Sequence, residues 1–553
     1  MPTPITTRLE RAADRGGTSV TFLNAAERVP LPWSQHHDEA RAVAAALQSR
    51  GVAPGDHVAI LGPTTRELVT TIRACWLAGA ASMVLPLPMR MGSLEEFVSS
   101  TRARIRHGDA ALLLIDDQLA PFYEAAPGDP PVVSLTAVQP DATRLSPEAH
   151  AMPAPDPERL VILQYTSGST SEPKGVMIPD RVLGANLDAI TTAAALQDDD
   201  VFVSWLPLYH DMGLVGFAAT PMCFGSELVL AAPQDFLAHP GHWMEWISEF
   251  GGSVTAGPNF SWVLATRALK RMGGLDLSRL RVALNGAEPI DPDAVEAFVA
   301  EAERFGFRPG AVFCAFGMAE VAIGGTFPPP MRGLRCDTVD RVVLEEKRVA
   351  EPADPTLEGT RRLPLLGPPV PGLEIRIVDP ATGEELDERQ VGELLIRGTS
   401  VTPGYYKRPE ATAELLRDGW LHTGDLGYVL DGELVLCGRI KDVIIVGGRN
   451  VFPEDIERAV GTIDGIRTGN VIAFGVDGYK GKESVVVVAE VKSTDVEALS
   501  RVVHERVIEA VGLPAREVML VQAGTLPKTS SGKLQRALCK ERYLAEELQL
   551  VAG

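Results

Sequence analysis

The sequence predicts an α/β protein built on mostly parallel sheets. Two observations carry the prediction. Short apolar strands alternate with amphipathic helical stretches in a βαβ rhythm. Polar, glycine-bearing segments fall directly after those strands, at the carboxyl edge where open α/β sheets bind ligands. Beyond Pro371 the pattern changes to partly alternating strands, the mark of a small, more antiparallel subdomain.

The elements follow in order. His57-Val-Ala-Ile-Leu61 reads as a strand after the turn Ala53-Pro-Gly-Asp56. A helix from Glu67 to Ala78 comes next, then an apolar run ending in Val84-Leu-Pro-Leu-Pro88. Leu160-Val-Ile-Leu163 is a continuous apolar run, expected as a buried strand entering a loop. Asp180 is placed to cap a helix whose apolar face is Val182, Leu183, Leu187 and Ile190. Further strands are expected at 201–205, 228–231, 280–284 and 312–316. In the later subdomain, 374–379 and 392–397 are strands, and Val429-Leu-Asp-Gly-Glu-Leu-Val435 is a hairpin turning on Asp-Gly. Residues 483–491 read as strand and 496–511 as amphipathic helix.

Composition agrees. A chain of 553 residues exceeds what one core can serve and implies roughly three to four packing units. A net charge of −21 without a Lys/Arg-rich run argues against nucleic acid as a partner. No apolar stretch approaches the ~20 residues of a membrane helix, and Met1-Pro-Thr-Pro lacks a signal-peptide pattern. The six cysteines are scattered without a C-x-x-C pair, as expected of reduced thiols rather than a disulfide frame or zinc site. A soluble, cytoplasmic protein is expected.

The densest chemistry lies in Tyr165-Thr-Ser-Gly-Ser-Thr-Ser-Glu-Pro-Lys-Gly175. Hydroxyls at Thr166, Ser167, Ser169 and Thr170, with Gly168, can turn several donors toward one anion, as phosphate-binding loops do. The spacing is not that of a Walker A loop. The loop alone leaves a Ser/Thr-rich surface turn open as the alternative. Further blocks follow: Ser204-Trp-Leu-Pro-Leu-Tyr-His-Asp-Met-Gly-Leu214, Asn285-Gly-Ala-Glu-Pro289, Phe316-Gly-Met-Ala-Glu320, Leu421-His-Thr-Gly-Asp425, Gly438-Arg-Ile-Lys-Asp-Val-Ile-Ile-Val-Gly-Gly-Arg-Asn450 and Pro527-Lys-Thr-Ser-Ser-Gly-Lys533. Seven blocks in this order resemble the adenylate-forming superfamily of acyl-CoA synthetases, fatty acyl-AMP ligases, adenylation domains and luciferases.

That resemblance implies a large N-terminal adenylation domain (1–437) of doubly wound, mostly parallel sheets with a small β subdomain. A hinge at 438–442 and a mobile α+β C-terminal domain (443–553) would follow. It implies ATP and Mg²⁺ as cofactors, with the hydroxyl loop on the β and γ phosphates. Lys174 would assist there, or else is a solvated lysine. Glu320 resembles the magnesium-linked carboxylate, and one carboxylate plus phosphate oxygens suits Mg²⁺. Asp425 would accept hydrogen bonds from the ribose hydroxyls. Phe316 would stack on adenine, in the block with Gly317, Met318 and Ala319, while Gly286, Ala287 and Glu288 form the opposite wall. His210 would lie beside the acyl carboxylate as a gate or proton-transfer group. Arg439 would reach the ribose or the hinge, and Lys533 would bridge the acyl carboxylate and the adenylate.

Departures from the common pattern narrow the resemblance. Ala319 replaces the usual Thr, and Ser171 stands where glycine is usual. The His210 block, Asn285–Pro289 and Gly257-Pro-Asn-Phe260 are most similar to fatty acyl-AMP ligases. So is the long connection from Glu320 to Gly367, which resembles an insertion restraining the C-terminal domain. The implied function is conversion of a carboxylic acid, fatty or polyketide-like, to acyl-AMP, with transfer to an acyl carrier protein thiol. A carboxylate–CoA ligase is the first alternative. A non-catalytic adenylate-binding regulator is the second, and retention of Glu320, Asp425 and Lys533 speaks against it. Selection of an amino acid is disfavoured for want of an obvious acidic partner for an α-amine, although Asp211 follows His210. Lys533, in a polar turn, is expected to be exposed in the free protein.

Overall fold

The computed structural model describes residues 2–24, 28–88, 94–139, 146–165, 173–478, 483–492, 496–529 and 533–551. Two sheets dominate the large N-terminal part. The first runs Val132–Ser134, Ala110–Ile115, His57–Leu61, Ala81–Val84, Leu160–Tyr165, Gly175–Pro179; its neighbours are parallel except for the last pair. The second runs Val312–Cys314, Val282–Asn285, Val254–Gly257, Val201–Ser204, Glu227–Leu230, Ser19–Phe22, Leu31–Pro32, antiparallel only at its last pair. Their inner strands are buried almost throughout, as parallel sheets covered on both faces require, while the edge strands Val132–Ser134 and Leu31–Pro32 are partly exposed. No helix among the described residues is long and apolar enough to cross a membrane.

The expected helix after Pro179 spans Asp180–Ala193, but Asp180 does not cap it. Pro179 holds the cap position, and the Asp180 carboxylate accepts instead from the N–H of Ile5 at 3.1 Å. Ile5 opens the helix Ile5–Arg15, so Asp180 serves an orphan donor of another helix 175 residues away. The strand expected at 312–316 stops at Cys314; Phe316–Gly317 pairs separately with Gly324–Thr326.

One buried cation shapes the N-terminal core. Arg73 is fully buried between the helices Trp33–Ser49 and Arg66–Ala78. Its guanidinium donates to Nδ1 of His36 (3.1 Å), Nδ1 of His37 (2.9 Å) and the carbonyl of Leu9 (2.9 Å). Both imidazoles must therefore be neutral, with their proton on Nε2.

The third sheet is antiparallel and orders Leu373–Val378, Gly392–Gly398, Trp420–Leu430, Leu416–Arg417, with Glu433–Arg439 also on the long strand. Its last hairpin turns on Asp431 and Gly432, both at positive φ (52° and 77°), the backbone that an Asp-Gly type I′ turn demands. The C-terminal part carries its own core around the sheet Ile466–Asp477, Glu483–Val491, Glu517–Val521 and the helices Pro453–Gly461 and Val496–Val511.

The Glu320–Gly367 connection is ordered as a hairpin, Cys336–Asp340 with Thr360–Pro364, carrying the helix Arg341–Lys347. It grips the C-terminal part at several points. Fully buried Glu345 takes the Arg449 guanidinium, and its backbone carbonyl accepts from Asn450 Nδ2 at 2.9 Å. Arg341 donates to the carbonyl of Ala510. Arg361, 5% exposed, meets Asp455 at 2.9 Å and lies over the Phe452 ring at 4.5 Å.

Candidate active site

Four neighbouring strands of the second sheet deliver their carboxyl ends to one place. Ser204 leads to the His210 loop, Gly257 to Pro258-Asn-Phe260, Asn285 to the Gly286–Glu288 turn, and Cys314 to Phe316. Backbone proximity explains the small residues. A Cβ on Gly286 would stand 2.9 Å from the Ala315 carbonyl, and one on Gly317 would collide with that of Ile323. Ala287 sits at φ 70°, turning the chain so that Glu288 folds back. Glu288 Oε1 then accepts from the Phe260 N–H at 2.7 Å, tying two of these turns together. Phe316 is buried against Gly325.

On the His210 loop, Nδ1 of His210 lies 2.5 Å from Oδ1 of Asp211 and 3.3 Å from the backbone nitrogen of Met212. Asp211 also accepts from the Met212 N–H at 2.7 Å. A π-helical stretch, Met212–Ala219, follows at once, an irregularity common at functional sites. Gln164, at the end of its strand, donates to the Tyr209 carbonyl at 2.8 Å and so couples the phosphate-loop strand to this loop. The loop residues Thr166, Ser167, Gly168, Ser169 and Thr170, with Ser171, lie outside the described residues.

Glu320 stands in a single 3₁₀ turn, Ala319–Val321, after Met318. It is 8% exposed, and burial pushes its carboxyl above the ordinary glutamate value. The hydroxyl of Tyr405 opposes this by donating to Oε1 at 2.7 Å. Lys174 places its ammonium 5.3 Å from the centre of the Tyr405 ring. Lys174, Tyr405 and Glu320 thus form one chain of contacts. Among the described residues no cluster of three or more His, Cys, Asp or Glu could hold a metal. Glu320, a lone carboxylate with a neighbouring phenol, fits an ion that takes most of its ligands from phosphate and water, as Mg²⁺ does.

Asp425 and Arg439 face each other across the Trp420–Leu430 and Glu433–Arg439 strands, Nε to Oδ1 at 2.9 Å. Burial raises the Asp425 carboxyl, and the facing guanidinium pulls it back down. A turn at Gly424 (φ 69°) and the Thr423 hydroxyl, which accepts from the Asp425 N–H at 3.0 Å, hold the carboxylate in place.

Lys533 does not stand exposed, as its polar turn suggests. It is partly buried, and its ammonium lies within electrostatic reach of Asp211, Glu288 and Asp425, with Arg439 opposing. Burial lowers its pKa, and the carboxylates resist that shift. Asp211 is held below the usual aspartate value because His210 and Lys533 outweigh its own desolvation. A residue near the C-terminus is therefore folded onto the edge of the second sheet.

Of the residues singled out in the sequence, the structure gathers Lys174, His210, Glu288, Phe316, Glu320, Asp425, Arg439 and Lys533 around this edge. Sequence reasoning missed Tyr405, which sits 85 positions from Glu320 in the Gly404-Tyr-Tyr-Lys407 turn with no motif to mark it. It also left Asp211 unassigned as a site residue, although adjacency to His210 and a following glycine were visible.

Known proteins resemble this chain over nearly its whole length. The AMP-binding enzyme family matches residues 9–406, and the AMP domain described as Disco-interacting protein 2-like matches 441–552. A medium-chain-fatty-acid–[acyl-carrier-protein] ligase of Moorena producens is 33% identical, covering 93% of this chain and 90% of its own. A long-chain-fatty-acid–AMP ligase of Mycolicibacterium smegmatis is 30% identical over 94% of this chain and 90% of its own. Among solved structures, one from a study of fatty acyl-adenylate ligases from E. coli and L. pneumophila superposes with a TM-score of 0.90. It is 32% identical and covers 99% of this chain and 98% of its own.

Proposed function

The chain belongs to the AMP-binding enzyme family, and on that premise we propose that it is an acid–AMP ligase for a fatty or polyketide-like carboxylic acid. A carboxylate oxygen of the acid attacks the α-phosphorus of ATP; the bond to the bridging oxygen breaks and pyrophosphate leaves. Both partners are anionic, so the site must neutralise charge and enforce an in-line approach. The single observation that carries the reading is Lys533, brought from the C-terminal part into the field of Asp211, Glu288 and Asp425. There its ammonium meets the charge shared by attacking carboxylate and α-phosphate, in a site drier than bulk water.

The other residues take supporting roles. Asp425, held by its turn, receives the ribose hydroxyls, with Arg439 beside it. Phe316 and the Gly286–Glu288 turn form the adenine walls, with Gly317, Met318 and Ala319 continuing the Phe316 side. His210, aimed by Asp211, borders the acyl carboxylate as a gate. The Thr166–Thr170 loop and Lys174 hold the β and γ phosphates. Glu320, positioned by Tyr405, would hold Mg²⁺, whose charge would offset that of the phosphates.

The acceptor is the phosphopantetheine thiol of a carrier protein. Support comes from the inserted hairpin, whose Glu345–Arg449 and Arg361–Asp455 pairs oppose the rotation that free CoA would require, and from the acyl-carrier-protein ligase among the relatives. The test is acid-dependent pyrophosphate release across short, long and cyclic acids, followed by CoA or holo-carrier protein supplied to the best acid. Folded protein that makes no adenylate from any acid overturns the enzymatic reading. Rapid acyl-CoA formation reassigns the acceptor to CoA.

A further inference from the structure

A cavity of about 220 Å³ lies where the inserted hairpin meets the C-terminal part. Arg341 and Arg361 line it from the hairpin, Arg458 from the helix Pro453–Gly461. Two carboxylates share the wall, and both are engaged. Asp455 Oδ1 takes Arg361 at 2.9 Å and Arg458 at 3.4 Å, while exposed Glu509 pairs with Arg506 at 3.1 Å. Arg341 donates to the Ala510 carbonyl and lies within electrostatic reach of the Glu345 carboxylate. Among the described residues, buried polar atoms here also find no hydrogen-bond partner: Nη1 of Arg361, Nε of Arg341 and Oδ2 of Asp455. Such atoms are costly to leave unmet. In a chain of net charge −21, the lining of this void sets three guanidinium groups against two carboxylates.

We propose that this cavity binds a phosphate-class oxyanion. Guanidinium forks match tetrahedral oxyanions better than any other side chain does. A hydrogen phosphate also carries one P–OH, the donor that Asp455 Oδ2 lacks. The volume is below the roughly 300–1,000 Å³ of sites for drug-sized ligands and suits an anion the size of phosphate or pyrophosphate. Because its walls come from both sides of the boundary, the bound oxyanion cross-links hairpin and C-terminal part. By mass action it favours the arrangement that presents Lys533 to the active site. It therefore supports adenylate formation and slows any later step that needs the two parts to separate.

Calorimetric titration of the full-length protein with inorganic phosphate, and separately with pyrophosphate, tests this at fixed ionic strength against chloride. Arg458→Gln, which alters the wall and leaves the active-site residues untouched, is titrated in parallel, with Lys174→Ala as the control for binding at the nucleotide loop. Expected are saturable binding retained in Lys174→Ala and weakened at least tenfold in Arg458→Gln. Tighter binding of phosphate than pyrophosphate identifies the free anion as ligand; the reverse order identifies the reaction product. Absence of saturable binding, equal binding by wild type and Arg458→Gln, or loss in Lys174→Ala overturns the proposal. Binding is read without turnover, so this outcome is separable from that of the acid panel.

Discussion

The hydroxyl of Tyr405 donates to Oε1 of Glu320 at 2.7 Å while the Tyr405 ring lies beneath the Lys174 ammonium. One aromatic side chain thereby touches a carboxylate with its tip and a cation with its face. Desolvation drives Glu320 toward its neutral form, and the Tyr405 phenol is the largest of the groups that oppose it.

Tyr405→Phe separates those two contacts, because it removes the hydroxyl and keeps the ring. A hydrogen bond to a charged group is worth about 1.5–3 kcal/mol. The Mg²⁺ concentration for half-maximal adenylation should rise roughly 10–100-fold, with the fold intact by circular dichroism. An unchanged Mg²⁺ dependence would show that Tyr405 serves packing alone.

Lys533→Ala should lower adenylation by about 10²–10³, the usual loss for one preorganised electrostatic group. Transfer from preformed acyl-AMP, measured separately, should be much less affected, because the attacking carboxylate and α-phosphate whose shared charge Lys533 meets have by then reacted. Equal loss in both half-reactions contradicts the assignment of Lys533 to the first.

Arg449→Met leaves the fully buried Glu345 carboxylate without its partner, a loss of about 3–5 kcal/mol to the observed arrangement. Acyl-CoA formation from free CoA should increase relative to wild type. Excising 334–354 is a poorer test, because it deletes Cys336–Asp340 and strips Thr360–Pro364 of its ladder. No gain in CoA use by Arg449→Met, with adenylation retained, removes the hairpin from acceptor selection.

His36 and His37 should make the protein acid-labile. Burial first, and then the Arg73 charge, depress both imidazoles, His37 to about 3. The unfolded chain binds these protons near the ordinary histidine value of about 6.5 while the folded chain refuses them, so this contribution is full above that pH. It is lost as pH falls toward 3. Melting temperature should decline across this window, and more gently in His37→Gln, which keeps an acceptor for Arg73 without titrating. Parallel declines in the two proteins would exclude His37 as the source.

Local pattern was enough for much of this protein. Strands such as His57–Leu61 and Glu483–Val491, the helix Val496–Val511 and the Asp431-Gly432 turn follow from apolar periodicity and turn chemistry, which are properties of neighbouring residues. Glu320, Asp425 and Lys533 could be singled out in the sequence only because each sits in a block that resembles those of the adenylate-forming superfamily. Contacts across long separations were not legible. The capture of the Ile5 N–H by Asp180, the Tyr405–Glu320 bond and the Glu345–Arg449 pair span 175, 85 and 104 residues. A polar residue shows in sequence that it needs a partner, but only the packing of distant elements decides which partner it finds. For the same reason, Lys533 read as a solvated turn residue until the C-terminal part was seen folded against Asp211 and Glu288.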